Sequence, residues 1–195
     1  MDESKSDPGR RGTGAELRVV ALAGRLTDAP DADARRFPSA NIPKVRTRLK
    51  AILDPDETVQ LVCSAAAGAD LLALDVAAEA DLRSHVILGA APPAFEARSV
   101  AERAGPWIDL FDRLVVKPST SLTLEILSSV APEDDLSVNQ AILTRASEAA
   151  VAAGARPVAV LVWEGRSRGP DDVTADFRDQ AIALGFEILE TPTDD

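Results

Sequence analysis

Two strand-length runs in this sequence are almost continuously apolar, and this restricts the folds that the chain can adopt. LRVVALA covers Leu17 to Ala23, and VAVLVW covers Val158 to Trp163. A strand with one face in water alternates apolar and polar side chains, whereas a strand covered by helices on both faces does not. These runs predict the centre of a mainly parallel sheet in an α/β domain.

Helical patterns and shorter strand patterns alternate along the rest of the chain. Apolar residues at helical spacing predict a helix that begins near Asn41, with Pro43 in its first turn. Ser137 and Gln140 form a capping box for a helix that runs to about Ala153 and ends at Gly154. Further strands are predicted at 58–63, 85–88 and 187–190, further helices at 69–80 and 173–184, and the structure of 115–131 is left open. This rhythm predicts a Rossmann-like three-layer sandwich, with helices on both faces of the sheet.

The length of 195 residues fits one domain that buries a substantial core. We assign residues 17–191 to that domain, 1–16 to a disordered N-terminal tail and 192–195 to a flexible C-terminal tail. The chain has five Phe, two Trp and no Tyr, so its core consists mainly of aliphatic side chains. An aliphatic core suits helices packed on a parallel sheet.

Several features predict a cytoplasmic protein that has no contact with a membrane. No apolar run reaches the roughly 18 residues that cross a bilayer, and the polar N-terminus lacks the apolar segment of a signal peptide. The single cysteine, Cys63, allows no internal disulfide. The net charge of -11, with scattered basic residues, also argues against nucleic acid as a partner.

The loop after the strand at 58–63 is the sharpest candidate site. Ser64 and Asp70 enclose five small residues, among them Gly68 and Ala69. Small side chains let backbone amides approach a phosphate, and the start of the next helix adds its positive dipole end. Neither GxGxxG nor a Walker motif is present. The alternative is that Ser64 and Asp70 only cap the helix.

Other candidates lie at the ends of the two apolar strands and in the helices near them. Gly24 permits close backbone approach, Arg25 suits a phosphate or carboxylate, and Arg36 and Arg98 are further phosphate partners. Each of these residues has a simpler interpretation, as a turn glycine or a solvated arginine.

Asn139, Trp163 and Glu164 are candidates for contacts with a base or a sugar. Asn139 lies in the first turn of its helix, the Trp163 indole suits stacking, and Glu164, followed by Gly165, suits hydrogen bonding. The alternatives are that Asn139 faces water, that Trp163 lies in the core and that Glu164 begins a loop. His85 lacks partners for catalysis, and no cluster has the spacing of a metal site.

Ordered short motifs give the chain a resemblance to a known family. ALAG, RFP, SAAAGADLLALDVA, FEARSV, a helix with Trp and Phe, SVNQAIL and VWEG follow one another along the chain. In this order they resemble the SLOG superfamily of Rossmann-like domains, relatives of the lonely-guy and DNA-processing proteins. The resemblance covers about residues 17 to 190. It singles out Gly24, Arg25, Ser64, Gly68, Ala69, Asp70, Ser99, Asn139, Glu164 and Gly165.

The resemblance implies a bacterial sensor that binds a nucleotide or a nucleotide-derived molecule. It also implies that two copies of the domain pair and that a separately encoded effector protein is a partner. The expected binding function requires no cofactor. PGGxGTxxE of the enzymatic relatives is missing, so we expect binding without catalysis. Two alternatives stay open: a hydrolase of N-glycosidic bonds that uses Asp70 or Glu164 as its carboxylate, and a protein-interaction module whose pocket is vestigial.

Overall fold

A computed structural model describes residues 16–127, 131 and 134–194. Within these residues the strands are β1 (Arg18–Gly24), β2 (Thr58–Cys63), β3 (Ser84–Leu88), β4 (Leu122–Ile126), β5 (Arg156–Val162) and β6 (Glu187–Thr191). The α-helices are α1 (Ile42–Ile52), α2 (Ala69–Glu79), α3 (Pro92–Ser99), α4 (Trp107–Phe111), α5 (Asp135–Ala153) and α6 (Val173–Ala183). A 3-10 turn (Ser39–Asn41) precedes α1, and α4 continues into a π-helical turn (Asp112–Val116).

The strands form one sheet in the order β4-β3-β2-β1-β5-β6, and all neighbouring pairs are parallel. The predicted α/β, Rossmann-like fold is therefore confirmed. Strands β2, β3 and β4 follow on one side of β1, and the chain then crosses to its other side for β5 and β6. The direction of winding changes between β1 and β5, which is where such folds usually open a ligand crevice.

Helices cover both faces of the sheet, as the apolar runs predict. Along β1, Val20 and Leu22 point to the core beneath α1, α2, α3 and α4. Val19, Ala21 and Ala23 point to the opposite core beneath α5 and α6. Because alternate residues of one strand enter two different cores, the strand tolerates few polar residues.

The boundaries of the predicted elements agree with the structure to within about two residues, with one exception at α5. Strand β4 occupies part of the segment that the sequence left open. The predicted cap at Ser137 is wrong, because α5 begins at Asp135 and is capped by Asp134. Asp134 accepts hydrogen bonds from the Ser137 amide (3.0 Å) and hydroxyl (2.6 Å). An ionised carboxylate thus caps the helix three residues earlier than the hydroxyl would.

Part of the chain end is packed against the domain. Residues 1–15 and 195 lie outside the described residues, so the predicted tail at 1–16 is described only at Glu16. Thr193, which falls in the segment 192–195 predicted as a flexible tail, is fully buried. Thr193 donates a hydrogen bond from its hydroxyl to the Arg36 carbonyl and accepts one from the Asn41 amide (2.9 Å). The tail therefore holds the start of α1 and the long loop before it.

None of the helices in the described ranges combines the length and apolarity that a membrane span needs.

Candidate functional site

A cavity of about 380 Å³ opens at the carboxyl edge of the sheet. Its walls come from the loop after β1, the loop after β2, the end of α3 and the first turns of α5 and α6. The polar and charged residues among its lining are Arg25, Thr27, Asp28, Arg36, Ser64, Asp70, Arg98, Ser99, Arg103, Asp135, Asn139, Arg168 and Thr174. Its volume lies in the lower part of the range of small-molecule sites.

A buried ion cluster occupies the place where the winding changes direction. Arg25, at 4% exposure, follows β1 and makes five hydrogen bonds through its guanidinium. Two of them reach Glu164 (2.7 and 3.1 Å), two reach Asp172 (2.6 and 2.9 Å), and one reaches the Arg166 carbonyl (2.9 Å). The guanidinium is thus paired with two carboxylates, each held by two parallel hydrogen bonds.

The cluster fixes the charge of its members. Burial is the largest single effect and raises the pKa of Asp172 and Glu164. The hydrogen bonds and charge of Arg25, together with backbone amides and, for Glu164, Arg36, outweigh it and leave both pKa values lowered. Burial by itself lowers the pKa of Arg25, whereas the two carboxylates leave it raised. Asp172 also caps α6 by accepting from the Thr174 amide (3.0 Å). The cluster is therefore ionised at neutral pH and joins the loops after β1 and β5.

This arrangement changes the roles expected for three candidates. Arg25 lines the cavity, but its hydrogen bonds go to the protein and not to a phosphate. Glu164 accepts from Arg25 and also from Arg36 (2.7 Å). Trp163 is 5% exposed, lies in the core beneath α5 and α6, and donates to Glu190 (3.2 Å). The Arg25 guanidinium lies 5.5 Å from the centre of the Trp163 ring. The expected stacking of a base on Trp163 is therefore corrected to a core position.

Three backbone amides in the loop after β2 donate hydrogen bonds within the protein. The Ala66 amide donates to Asp70 (3.2 Å), the Ala67 amide to the Ser99 carbonyl (2.9 Å), and the Ala69 amide to the Arg25 carbonyl (3.1 Å). Gly68 and Ala69 are absent from the cavity lining, and so is the exposed Gly165. The predicted cradle therefore lacks these three donors, which hold neighbouring elements together, and the loop contributes Ser64, Ala66 and Asp70 to the wall.

The two predicted glycines are required by packing. A Cβ at Gly24 would lie 2.4 Å from the Ala69 Cβ and 2.7 Å from the Val162 carbonyl oxygen. Gly68 has a φ of +118°, and a Cβ there would lie 2.6 Å from the Arg25 carbonyl oxygen. Gly24 thus lets α2 approach β1, and Gly68 lets the loop after β2 pair with the loop after β1.

We expect Gly68→Ala to destabilise the protein by about 1–3 kcal/mol more than Gly169→Ala, because only Gly68 faces a steric clash. Gly169 is a matched control, since its φ is +122° and nothing lies within 4 Å of its Cβ position. Both variants carry the same backbone strain. Urea unfolding of the two proteins measures the difference, and equal losses would contradict the close approach.

Asp70 is a buried carboxyl group on the cavity wall. It is 7% exposed and accepts a hydrogen bond from the Ala66 amide (3.2 Å). Burial raises its pKa to about 7; the bond from Ala66 opposes this, and the negative charge of Asp135 adds to it. The buried Cys63 thiol is another neighbour, and the charge of Asp70 contributes to its raised pKa. Asp70 thus loses its proton within the physiological pH range.

The remaining candidates line the cavity and have partners in neighbouring elements. Arg98 donates to Asp135 (2.8 Å) and to the Ser99 hydroxyl (3.3 Å), and its guanidinium lies 5.9 Å from the centre of the Phe95 ring. Asn139 is 5% exposed and donates to the Val173 carbonyl (2.8 Å). Arg98 thus links α3 to the start of α5, and Asn139 links α5 to α6.

Sequence reasoning missed Thr27, Arg103, Asp135 and Asp172. The position of Asp172 before a helical pattern could have marked it as a cap, but its pairing with Arg25 spans 147 residues. The other three carry no local signal. Among the residues described, no group of three or more His, Cys, Asp or Glu side chains is placed to hold a metal ion.

Comparison with known proteins gives distant structural similarities, and the following are two of them. The chain is similar to DNA processing protein A from Streptococcus pneumoniae, with a TM-score of 0.38 and 12% identity over 92% of this chain and 60% of that chain. It is also similar to Streptococcus suis SuiB bound to S-adenosylmethionine, with a TM-score of 0.31 and 10% identity over 91% and 39% of the two chains. No protein-family model and no curated protein matches. The chain spans less than two thirds of either structure, and similarity at this level assigns neither a family nor a ligand.

Proposed function

We propose that the cavity binds a nucleotide or a nucleotide-derived small molecule without catalysing its conversion. The observation that carries this proposal is the combination of a cavity of about 380 Å³ at the carboxyl edge of a parallel sheet with buried polar side chains on its wall. Asp70 and Asn139 are both at least nine-tenths buried there. Their hydrogen-bonding groups suit a sugar or a base, and the arginines around them suit a phosphate.

The contacts of Glu164 favour binding over hydrolysis of an N-glycosidic bond. Such a hydrolase needs a carboxylate that is free to stabilise the reaction centre or to activate water. Glu164 is tied to two arginines and is absent from the cavity lining. Asp70 is the buried carboxyl that remains on the wall, and a single group of that kind supports recognition better than a two-carboxylate mechanism.

The wider role of the domain is part of the same proposal. The resemblance to the SLOG superfamily supports a sensor whose bound state is recognised by a separately encoded effector protein. Pairing of two copies is proposed on the same basis. The acidic charge still predicts that nucleic acid is not a partner.

A ligand screen with a blocked cavity tests the proposal. We expect ribonucleoside mono-, di- and triphosphates and NAD to include a ligand that raises the Tm of the wild-type protein by about 5–10 °C at a concentration 100 times its Kd. Ser64→Phe fills the cavity and should abolish that shift. Ser119→Phe is the control, because Ser119 is exposed and precedes β4 at the opposite edge of the sheet. A shift that survives Ser64→Phe would place binding elsewhere, and no shift with any compound would contradict the proposal.

A further inference from the structure

Five arginines line the cavity, and four of them have carboxylate partners. Arg25 and Arg36 are paired with Glu164, at 2.7 Å in both cases. Arg98 is paired with Asp135 (2.8 Å), and Arg168 approaches Asp172 (3.5 Å). The fifth arginine, Arg103, has no acceptor among the residues that the structure describes.

Arg103 is partly buried in addition to being unpaired. Its Nε is inaccessible to solvent and has no hydrogen-bond partner within 16–127, 131 and 134–194; the same holds for the hydroxyl of Thr27, which is 2% exposed. Both residues line the same cavity. A buried donor without a partner costs about 1–3 kcal/mol, so two such donors in one cavity favour a bound partner there, such as a ligand, an ion or water.

The position of Arg103 in the fold separates it from the Arg25 cluster. Arg103 follows α3, which itself follows β3, whereas Arg25 follows β1 and faces the loops after β5. The sheet order places β2 between these strands. The loop after β2 lies against α3, since the Ala67 amide donates to the Ser99 carbonyl. An uncompensated positive charge therefore lies at the β2–β3 side of the cavity, away from the change in winding.

We propose that this side of the cavity is an anion subsite, in which Arg103 and Arg98 hold the phosphate of the bound nucleotide. This inference rests on the proposed function and adds the orientation of the ligand. The phosphate lies at the end of α3, and the nucleoside extends towards Asn139 and Thr27 at the β1 side. The ligand class is thus a nucleotide with an exposed phosphate, and a nucleoside alone leaves Arg103 without its partner.

Asp135 regulates the subsite. It accepts a hydrogen bond from Arg98, so it competes with a phosphate for the same guanidinium. Its negative charge also acts on Asp70 across the cavity. Replacing Asp135 by Asn removes that competition and should strengthen phosphate binding. Replacing Arg103 should weaken phosphate binding.

Calorimetric titration with the four ribonucleosides, their 5′-monophosphates and inorganic phosphate tests the subsite. For the wild-type protein we expect a 5′-monophosphate to bind at least about tenfold more tightly than its nucleoside, which corresponds to one charge-assisted contact. Arg103→Met should reduce this ratio to less than about threefold without changing nucleoside affinity. Asp135→Asn should increase it. Arg178→Met, which removes an equal charge from the surface pair with Glu190, should leave it unchanged.

The outcomes separate this inference from the proposed function. Nucleosides that bind as tightly as their monophosphates, or a ratio that survives Arg103→Met in a protein with wild-type Tm, would overturn the subsite while leaving nucleotide binding intact. Binding of inorganic phosphate alone would show an anion site without nucleotide recognition and would overturn the orientation. Failure of every compound to bind would contradict both proposals.

Discussion

Arg25→Met should lower the free energy of unfolding by about 3–5 kcal/mol, the largest loss that we expect from one substitution outside the hydrophobic core. Arg25 pairs with both Glu164 and Asp172, whose side chains are 6% and 0% exposed. Methionine fills much of the same volume but leaves both carboxylates without their main partner. An uncompensated buried charge is costly because water is absent to solvate it.

Urea unfolding at pH 7 measures this loss. Arg35→Met is the control, because Arg35 is exposed in the same loop, and it should change stability by less than about 0.5 kcal/mol. Adding Glu164→Gln to Arg25→Met should recover part of the loss, since one stranded charge is then removed. An Arg25→Met protein within 1 kcal/mol of the wild type would mean that the cluster has little effect on stability.

Asp70→Asn should raise the free energy of unfolding by about 2–4 kcal/mol at pH 8 and by much less at pH 4. The pKa of Asp70 is about 7 in the folded protein and 3.8 in a model compound. Between these values the folded state holds a proton that the unfolded state has lost, so stability falls as pH rises from about 4 to 7. Asparagine keeps the bond from Ala66 and carries no charge to bury.

Thermal and urea unfolding of both proteins from pH 4 to pH 8 tests this expectation. Asp75→Asn is the matched control in α2, because Asp75 is paired with Arg46 (2.9 Å). The free energy of unfolding of this variant, relative to the wild type, should not increase as the pH rises. A stability difference between Asp70→Asn and the wild type that does not vary with pH would show that Asp70 titrates near its ordinary value. A carboxyl that weakens the protein at neutral pH fits a residue kept for binding, since ligand sites commonly reduce stability.

The fold could be predicted from the sequence because its signals are local. The apolar run at 158–162 and the alternation of strand and helix patterns require only the chemistry of neighbouring residues. Gly154 ends α5 with a φ of +60°, as the sequence predicts. The predicted start of α5 differs from the observed one because Asp134 and Ser137 are both good caps, and no local rule decides between them.

The candidate site could be predicted only in its location. Gly24, Ser64, Asp70 and Asn139 all lie at the predicted edge of the sheet, because the carboxyl ends of parallel strands share one edge. Their roles depend on partners that are distant in sequence. From the sequence alone, Arg25 fits a phosphate ligand as well as it fits the centre of an ion cluster. The two roles are distinguished only once Asp172 is known to lie beside it. Pairing of this kind is a property of the packed chain.

The hydrogen bonds of Thr193 connect the segment after β6 to the loop that precedes α1. Its hydroxyl is bonded to the carbonyl of Arg36, and the Arg36 side chain reaches Glu164 and the buried cluster. A movement of the chain after β6 would therefore be transmitted to the rim of the cavity through these two polar contacts. Conversely, a bound molecule that rearranges the rim would alter the contacts that hold the segment after β6.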